Sequence, residues 1–308
     1  MALKYHSGQI EVQEEANTRP VAEMLAHWSG PVGLFASVAD MIVLATSHET
    51  GELRFAAVSG AAPLVDVVGD SAIRLPNLEL PCEADGGLAG GIAISLAQLR
   101  RARLNGRLSL DEGGWTLKAE EAFTNCRKYL APSLALSETP HAGPVSRQPV
   151  SAGDPWLQEV VAGAETSFLA SVSPDGQPDV SHRGGLPGFL QLDAAAGTLR
   201  WDEYVGDGMF KSAGNVRATG VASILVLDLD TGDAAELRGR AVYTTRRSYE
   251  EARESGLEQH RERYPVQGAI EMRIEGAFRL AGFTAPRKRL DKALRVTSRS
   301  STAEQAPR

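Results

Sequence analysis

The sequence has few cysteines, no excess of positive charge and no long hydrophobic run, and each absence excludes a class of protein. Two cysteines in 308 residues, Cys82 and Cys126, cannot form a disulfide framework, and neither has a Cys or His neighbour at zinc-ligand spacing. Lys and Arg number 32 against 39 Asp and Glu, and the formal net charge of -7 argues against a nucleic-acid partner. No stretch reaches the ~18 apolar residues of a membrane helix, and the N-terminus has no apolar signal-peptide core. We therefore expect a cytoplasmic protein with no membrane, nucleic-acid or metal site.

Length and proline distribution predict how the chain is divided. A length of 308 residues predicts about two domains, and a hydrophobic content of 43% is typical of globular proteins. Proline fixes φ and removes a donor, so the Pro-rich stretch after Leu130 is predicted to be a linker. We predict a first domain at 1–130, a linker at 131–155, a second domain at 156–285, and a basic, disordered tail at 286–308.

Short apolar segments predict strands in both halves. They are rich in β-branched residues and end at Gly, Asp or Pro turns, which is typical of a mainly β protein. The clearest segments are residues 41–46, 53–58, 167–172 and 222–227. No Gly-x-Gly-x-x-Gly follows a strand and opens a helix, so nothing supports a dinucleotide-binding fold.

A repeat connects the two halves. Three patterns occur in the same order in each half, at a separation of roughly 130 residues, which predicts a duplicated β-barrel. The patterns are a turn before a strand end (residues 48–63 and 174–187), a glycine before an apolar strand (Gly91 and Gly220), and a Gly-Arg strand start (Gly106 and Gly239).

Residues 181–189, Ser-His-Arg-Gly-Gly-Leu-Pro-Gly-Phe, place an imidazole and a cation beside glycines. Glycine lets a ligand approach the backbone, and Arg183 offers a planar fork of donors suited to phosphate. The segment predicts half of an anion site. The alternative is a turn or bulge in which Arg183 only forms a salt bridge.

Residues 201–217 pass from a strand end through a Gly-Asp-Gly turn into a short helix predicted to start near Met209. The N-terminus of a helix attracts phosphate because its free N–H groups and its dipole point at the anion, and Lys211 adds a point charge. The alternative is a solvated loop followed by an ordinary helix cap.

Taken together, these motifs resemble the flavin-binding split-barrel family related to pyridoxamine 5'-phosphate oxidase. They are Ser-x-Arg-Gly-Gly-x-Pro-Gly-Phe from Ser181, Trp-x-x-Tyr-x-Gly-x-x-Met-Phe-Lys-Ser-x-Gly-Asn from Trp201, and Leu-x-Gly-Arg-Ala from Leu237. The long, two-barrel branch of that family has signatures similar to residues 5–14, 100–107 and 123–129. The resemblance covers most of residues 5–283.

The resemblance implies tandem FMN-binding split β-barrels, mainly β with peripheral helices, and FMN bound at a homodimer interface. Arg183 and Lys211 match the positions that hold the phosphate. Tyr204 and Ser212 would lie near the phosphate or ribityl chain, and the loop containing His182 would face the ring. The implied cofactor-binding residues are Ser181, His182, Arg183, Gly184, Gly185, Tyr204, Lys211 and Ser212. The residues with which the oxidase binds the substrate phosphate have no clear counterparts, so vitamin B6 oxidation is not implied.

The first half differs from the second at one decisive position. The repeat places Val58 where Arg183 stands, and an apolar side chain cannot neutralise a phosphate. We therefore predict one flavin site per chain.

The resulting functional hypothesis is an FMN-dependent oxidoreductase acting on a small molecule, with oxidase and reductase both open and His182 as a candidate for proton transfer. The alternatives are a non-catalytic flavin-binding or sensor protein, a degenerate scaffold, and an F420-dependent reductase. Cys126 lies beside two cations, which predicts either a reactive thiol or a small residue buried for packing.

Overall fold

The computed structural model describes residues 3–26, 35–47, 52–80, 82–96, 98–130, 134–136, 145–248, 251 and 264–289. The helices in these ranges are α1 (Ser7–Glu15), α2 (Arg19–Ala26), α3 (Pro155–Gly163) and α4 (Lys211–Thr219), with a 3-10 turn at Cys82–Ala84. None of the helices in the described part of the chain has the length and hydrophobicity needed to cross a bilayer.

The strands form two large antiparallel sheets and a small one. The first sheet contains β1 (Met41–Ser47), β2 (Leu53–Ser59), β3 (Asp66–Val68), β4 (Ala72–Leu75), β5 (Leu88–Ser95), β6 (Arg100–Asp111) and β7 (Gly114–Thr124). Between the two large sheets in the sequence come β8 (Leu134–Leu136) and β9 (Ser146–Pro149). The second sheet contains β10 (Thr166–Val172), β11 (Pro178–Gly184), β12 (Leu190–Asp193), β13 (Thr198–Tyr204), β14 (Val221–Leu227), β15 (Ala234–Thr245) and β16 (Val266–Ala281). The last strand is β17 (Arg287–Arg289), which pairs with β8, while β9 pairs with β16.

The two large sheets have the same strand order. The first runs β2-β1-β5-β6-β7-β4-β3 and the second runs β11-β10-β14-β15-β16-β13-β12, which is the same sequence of neighbours within each half. The prediction of a mainly β fold of tandem split barrels with peripheral helices is confirmed.

Strand register aligns the halves residue by residue. Ile42, the second residue of β1, pairs with Val58, the sixth of β2. Ser167 and Arg183 hold these same positions in β10 and β11. Val58 therefore occupies the place of Arg183, as the repeat predicts.

The Gly-Arg patterns also correspond, but they lie at β-bulges inside strands and not at strand starts. The register shifts at Gly106 in β6 and at Gly239 in β15. A Cβ on Gly106 would lie 2.0 Å from the carbonyl oxygen of Lys118, and one on Gly239 would lie 1.9 Å from that of Arg273. Only glycine lets the partner strand pass this close.

The predicted equivalence of Gly91 and Gly220 is wrong. Gly91 lies inside β5 opposite Leu44, whereas Gly220 ends helix α4 with a φ of 67°. Helix α4 precedes β14 and has no equally long counterpart among the described residues before β5, so the separation between equivalent residues changes there.

The two halves share a hydrophobic core. It includes Met41, Val43, Ile92 and Ile94 from the first sheet and Phe168, Ala170, Val180 and Leu225 from the second. At one edge, β5 lies directly against β11: a Cβ on Gly90 would lie 2.4 Å from the carbonyl oxygen of Pro178. Glycine at this position allows the backbones to meet.

The structure corrects the predicted linker and tail. Residues 146–149, inside the predicted linker, pair with β16. Pro149 does not prevent this pairing, because it is the last residue of the strand and the ladder needs no N–H from it. Arg287, inside the predicted disordered tail, is fully buried, and its Nη2 lies 2.8 Å from Asp40 Oδ1. This ion pair fixes the start of the tail. Residues 290–308 lie outside the described residues, and the domain boundaries stay a prediction.

Candidate functional site

Most of the predicted site residues meet at one cavity of about 90 Å³ beside edge strand β11 and the start of α4. Those on its wall are His182, Arg183, Gly184, Tyr204, Lys211 and Ser212. Ser181 lies behind the wall, where its Oγ accepts a hydrogen bond from Arg183 Nη1 at 2.8 Å and lies 2.7 Å from Ser212 Oγ, whose single proton is donated to Asp179. Gly185 packs against Phe189, whose ring would contact a Cβ there at 2.6 Å.

The first half of the chain supplies the opposite wall, which the sequence analysis missed. Its contributions are Arg101, Arg103, Phe123, Asn125, Cys126 and Tyr129. Alternate residues of a strand share a face, and the run Arg101, Arg103, Asn105 on β6 was the available signal. The cavity thus lies between the two halves of one chain, and no second copy is needed to form its walls. The homodimer stays a prediction.

The start of α4 has free backbone donors. Phe210, its N-cap residue, has a left-handed φ of 50° and gives no side-chain cap. The turn before it is held by Asp207, whose Oδ1 accepts from the Met209 N–H at 3.1 Å. Within the described residues, the first turn of α4 therefore receives no cap from the side chain of Phe210, and its N–H groups lie beside Lys211 and Ser212 on the cavity wall. This is the local arrangement that binds an anion.

The two cations predicted to hold a phosphate are already paired. Lys211 Nζ lies 2.8 and 2.7 Å from the two carboxylate oxygens of Glu121 on β7. Arg183 Nε donates to Glu203 Oε1 at 2.6 Å, and the Trp201 indole N–H donates to that oxygen at 2.8 Å. The salt-bridge alternative for Arg183 is therefore observed, although Arg183 also lies on the cavity wall.

A buried carboxylate, Asp179, joins the halves behind the cavity. It accepts hydrogen bonds from Arg103 Nη1 at 2.9 Å, Asn105 Nδ2 at 3.0 Å and Ser212 Oγ at 2.9 Å. Burial alone raises its pKa, but Arg103, Lys211 and these hydrogen bonds together hold the pKa of Asp179 below its usual range. The carboxylate therefore stays ionised.

His182 is buried and held by a single charged partner. Arg101 Nη1 lies 2.7 Å from His182 Nδ1. Because a guanidinium only donates, Nδ1 accepts and the ring proton lies on Nε2. Burial, Arg101 and Arg183 hold the pKa of His182 well below its usual value. His182 is therefore a neutral donor at neutral pH, which favours hydrogen bonding over the proton uptake proposed from the sequence.

Aromatic rings and the thiol complete the wall. The ring centroids of Tyr129, Tyr204 and Tyr264 lie 5.2 to 5.5 Å apart. Burial, followed by Asp202, raises the pKa of Tyr204 to about 12, so its hydroxyl stays protonated. Cys126 is half-buried, and its Sγ lies 3.9 Å from Arg101 Nη2. Its reactivity stays a prediction.

A second, larger cavity of about 760 Å³ adjoins the first at Lys211. Its wall includes Tyr5, His6, Glu121 and Asp179. Within the described ranges, no group of three His, Cys, Asp or Glu side chains could hold a metal ion.

The donor set fits the phosphate of FMN. A helix N-terminus, a lysine, an arginine and a serine are the groups that a phosphate monoester binds. The cavity of about 90 Å³ is smaller than the roughly 300–1,000 Å³ of a typical cofactor pocket, whereas the adjoining one lies in that range.

No family model matches the chain, and neither does any curated protein. Among solved structures, HupZ from Group A Streptococcus is 17% identical, covering 43% of this chain and 97% of its own, with a TM-score of 0.32. A pyridoxamine 5'-phosphate oxidase-related, FMN-binding protein from Nostoc punctiforme is 11% identical, over 44% and 88%, with a TM-score of 0.29. HutZ, the heme storage protein from Vibrio cholerae, is 16% identical, over 44% and 98%, with a TM-score of 0.30. The chain is similar to members of the split-barrel family that its motifs resemble.

Proposed function

We propose that the chain binds FMN at the cavity between its halves and acts as an oxidoreductase on a small molecule. The observation that supports this is the convergence of Arg183, Lys211, Ser212 and the uncapped first turn of α4 on one cavity wall. FMN supplies two-electron redox chemistry when bound. The motif resemblance implies the phosphate for Arg183 and Lys211, and the phosphate or ribityl chain for Ser212.

The chain's own groups would divide the work of binding. Lys211 would exchange Glu121 for the phosphate, and Arg183 would contribute Nη2, because its Nε donates to Glu203 and its Nη1 to Ser181 and the His182 carbonyl. The Nδ1 atom of His182 would take no part in binding the cofactor, because it is already occupied by Arg101. The buried wall limits access of water, which strengthens each of these charged contacts.

A scaffold without a cofactor is a second candidate. The ion pairs Lys211–Glu121 and Arg183–Glu203 already neutralise both predicted phosphate ligands inside the chain. A flavin that binds but supports no turnover would instead indicate a sensor. F420 in place of FMN would indicate a deazaflavin reductase.

The test is the visible spectrum of the purified chain after incubation with FMN, with mass identification of whatever is released on denaturation. Arg183→Ala should weaken FMN binding by about tenfold to a hundredfold, the value of charged hydrogen bonds. Arg273→Ala, an exposed arginine on β16, is the matched control. Circular dichroism checks the fold of each variant. A folded wild-type chain that binds neither FMN nor F420 leaves the scaffold as the function.

A further inference from the structure

Within the described ranges, Arg101 is the one cation of the cavity that no carboxylate contacts, and Asp207 on the same wall acts on it only electrostatically. Four cationic side chains line the wall: Arg101, Arg103, Arg183 and Lys211. The last three have carboxylates at 2.9, 2.6 and 2.7 Å, namely Asp179, Glu203 and Glu121. Among the described residues, Arg101 has no carboxylate within 4 Å. It is nevertheless only 8% exposed.

The partners of Arg101 are all uncharged acceptors or a thiol. Nη1 donates to His182 Nδ1, and Nη2 donates to the Lys128 carbonyl at 3.2 Å and approaches Cys126 Sγ at 3.9 Å. Burial lowers the pKa of Arg101 from its usual value, which expresses the cost of holding this charge away from water. Proteins retain such a charge when an anion matches it.

The ring of His182, on the same cavity wall, has a nitrogen without a hydrogen-bond partner. It is 6% exposed and lines the cavity, and its Nε2 has no hydrogen-bond partner within the described part of the chain. Because Arg101 fixes the proton on Nε2, this atom is a buried donor that lacks an acceptor. The donor is backed by a positive charge through the Nδ1 hydrogen bond, which makes the pair attractive to an anion.

We propose that Arg101 and His182 form a binding site for an anionic oxygen group, and that this group is the carboxylate of the small-molecule substrate. His182 Nε2–H supplies the hydrogen bond and Arg101 supplies the charge. The substrate assignment rests on the proposed function, whereas the anion site rests on the contacts of Arg101 and on the unpaired Nε2 of His182. Each half of the chain contributes one of the two side chains, so neither half forms the site by itself.

The experiment uses acetate as the probe and neutral, isosteric acetamide as its control. The ¹⁵N and ¹H signals of the His182 ring, assigned by their loss in His182→Gln, are followed in the full-length chain during each titration. Acetate should shift the Nε2–H signal to saturation, and acetamide should not. Absence of a saturable acetate shift, or an equal shift with acetamide, overturns the proposal.

Two variants test whether Arg101 supplies the positive charge of the anion site. Arg101→Gln should weaken the acetate response by about tenfold, because Arg101 fixes the proton on Nε2 and supplies the positive charge behind it. Arg107→Gln makes the same change on an exposed residue of β6 and should match the wild type. An unchanged response in Arg101→Gln overturns the role of Arg101. If Arg101→Gln does not fold, the acetate and acetamide titrations of the wild type still decide.

Repeating the titration with FMN-loaded chain separates the two sources of an anion. A response that survives FMN supports a substrate carboxylate. A response that FMN abolishes assigns the site to the cofactor and overturns the substrate assignment. If FMN does not bind, the proposed function fails, and the response of the FMN-free chain still decides whether the anion site exists.

Discussion

The two halves have the same strand order and register, yet their edge strands carry different chemistry. On one face β11 presents a polar row, Asp179, Ser181 and Arg183. At the corresponding positions, β2 presents Arg54, Ala56 and Val58. The core pattern fixes the barrel in both halves, while alternate residues of one edge strand decide whether a phosphate can be held there.

The connection before the fifth strand differs as well. The second half places the nine-residue helix α4 before β14. Among the described residues between β4 and β5, the first half has only the three-residue turn Cys82–Ala84. The proposed phosphate site combines an edge-strand cation with a helix N-terminus. The second half has both, and the first contributes β6 and β7 as the opposite wall.

A charged contact between β6 and β11 has a counterpart between β15 and β2, in which the acidic and the basic residue have exchanged strands. Arg103, two residues before the bulge of β6, pairs with Asp179, the second residue of β11. At the equivalent places stand Glu236 on β15 and Arg54 on β2, and Arg54 acts on Glu236 electrostatically. One contact is enclosed behind the cavity and the other has a more open partner, so the two respond differently to substitution.

Asp179→Asn should give the largest effect. It leaves Arg103, with a 12% exposed side chain, without its carboxylate, and we expect a loss of about 3–5 kcal/mol of unfolding free energy. The comparison variant is Glu236→Gln, whose partner Arg147 is 31% exposed and can be hydrated, so about 1 kcal/mol or less is expected. Urea unfolding measures both. Equal losses would show that the two contacts are equally buried in solution.

Gly90→Ser should give the next largest loss of stability. Gly90 pairs with Ala45, the fifth residue of β1, and β14 has Ser223 opposite the fifth residue of β10. The change therefore installs the residue of the other half. Its Cβ would meet the Pro178 carbonyl oxygen at 2.4 Å, and the cost of overpacking is about 1–3 kcal/mol.

Gly163→Ser, at the end of α3, is the control, because no atom lies within 4 Å of its added Cβ. Thermal unfolding compares the two variants. A Gly90→Ser chain as stable as the control would mean that β5 and β11 are not in backbone contact in solution.

The particular residues show how far sequence reasoning reaches. Arg183, Lys211 and Ser212 were predictable because each belongs to a local motif with a phosphate-binding rationale. Glu121 was not, because the packing of one half on the other brings it to the cavity. The alternation of Arg101, Arg103 and Asn105 signalled a shared polar face on β6, but not that this face would meet β11. The error at Gly91 arises for a related reason: a glycine before apolar residues suits both a helix end and a strand interior.

Glu121→Gln should raise the affinity for FMN. The carboxylate of Glu121 competes with phosphate for Lys211 Nζ, and a neutral amide of the same size competes less. We expect about tenfold tighter binding, equivalent to one charged hydrogen bond. Glu120→Gln makes the same charge change at an exposed neighbour. Flavin fluorescence quenching measures both, and equal affinities would exclude competition at Lys211.

The smallest effect is a difference in pH dependence between the two charge-reversed contacts. Arg103 and its hydrogen-bonding neighbours outweigh burial and lower the pKa of Asp179, so its contribution is present at neutral pH and is lost as pH falls through the folded-state value. Burial raises the pKa of Glu236 above 4.5, against the opposing effect of Arg147. The contribution of Glu236 to stability is therefore present below pH 4.5 and is lost as the pH rises through the pKa of Glu236 in the folded chain.

The two neutralised variants should thus change the stability profile in opposite directions. Asp179→Asn should remove part of the loss on acidification, and Glu236→Gln should remove part of the loss on raising the pH from the acid side. Denaturation midpoints from about pH 3 to pH 8 measure both slopes. Parallel changes in the two variants would mean that the reversal of charge between the halves does not reverse the linkage. The burial of each carboxylate, and not the arginine that faces it, would then determine the pH dependence of stability.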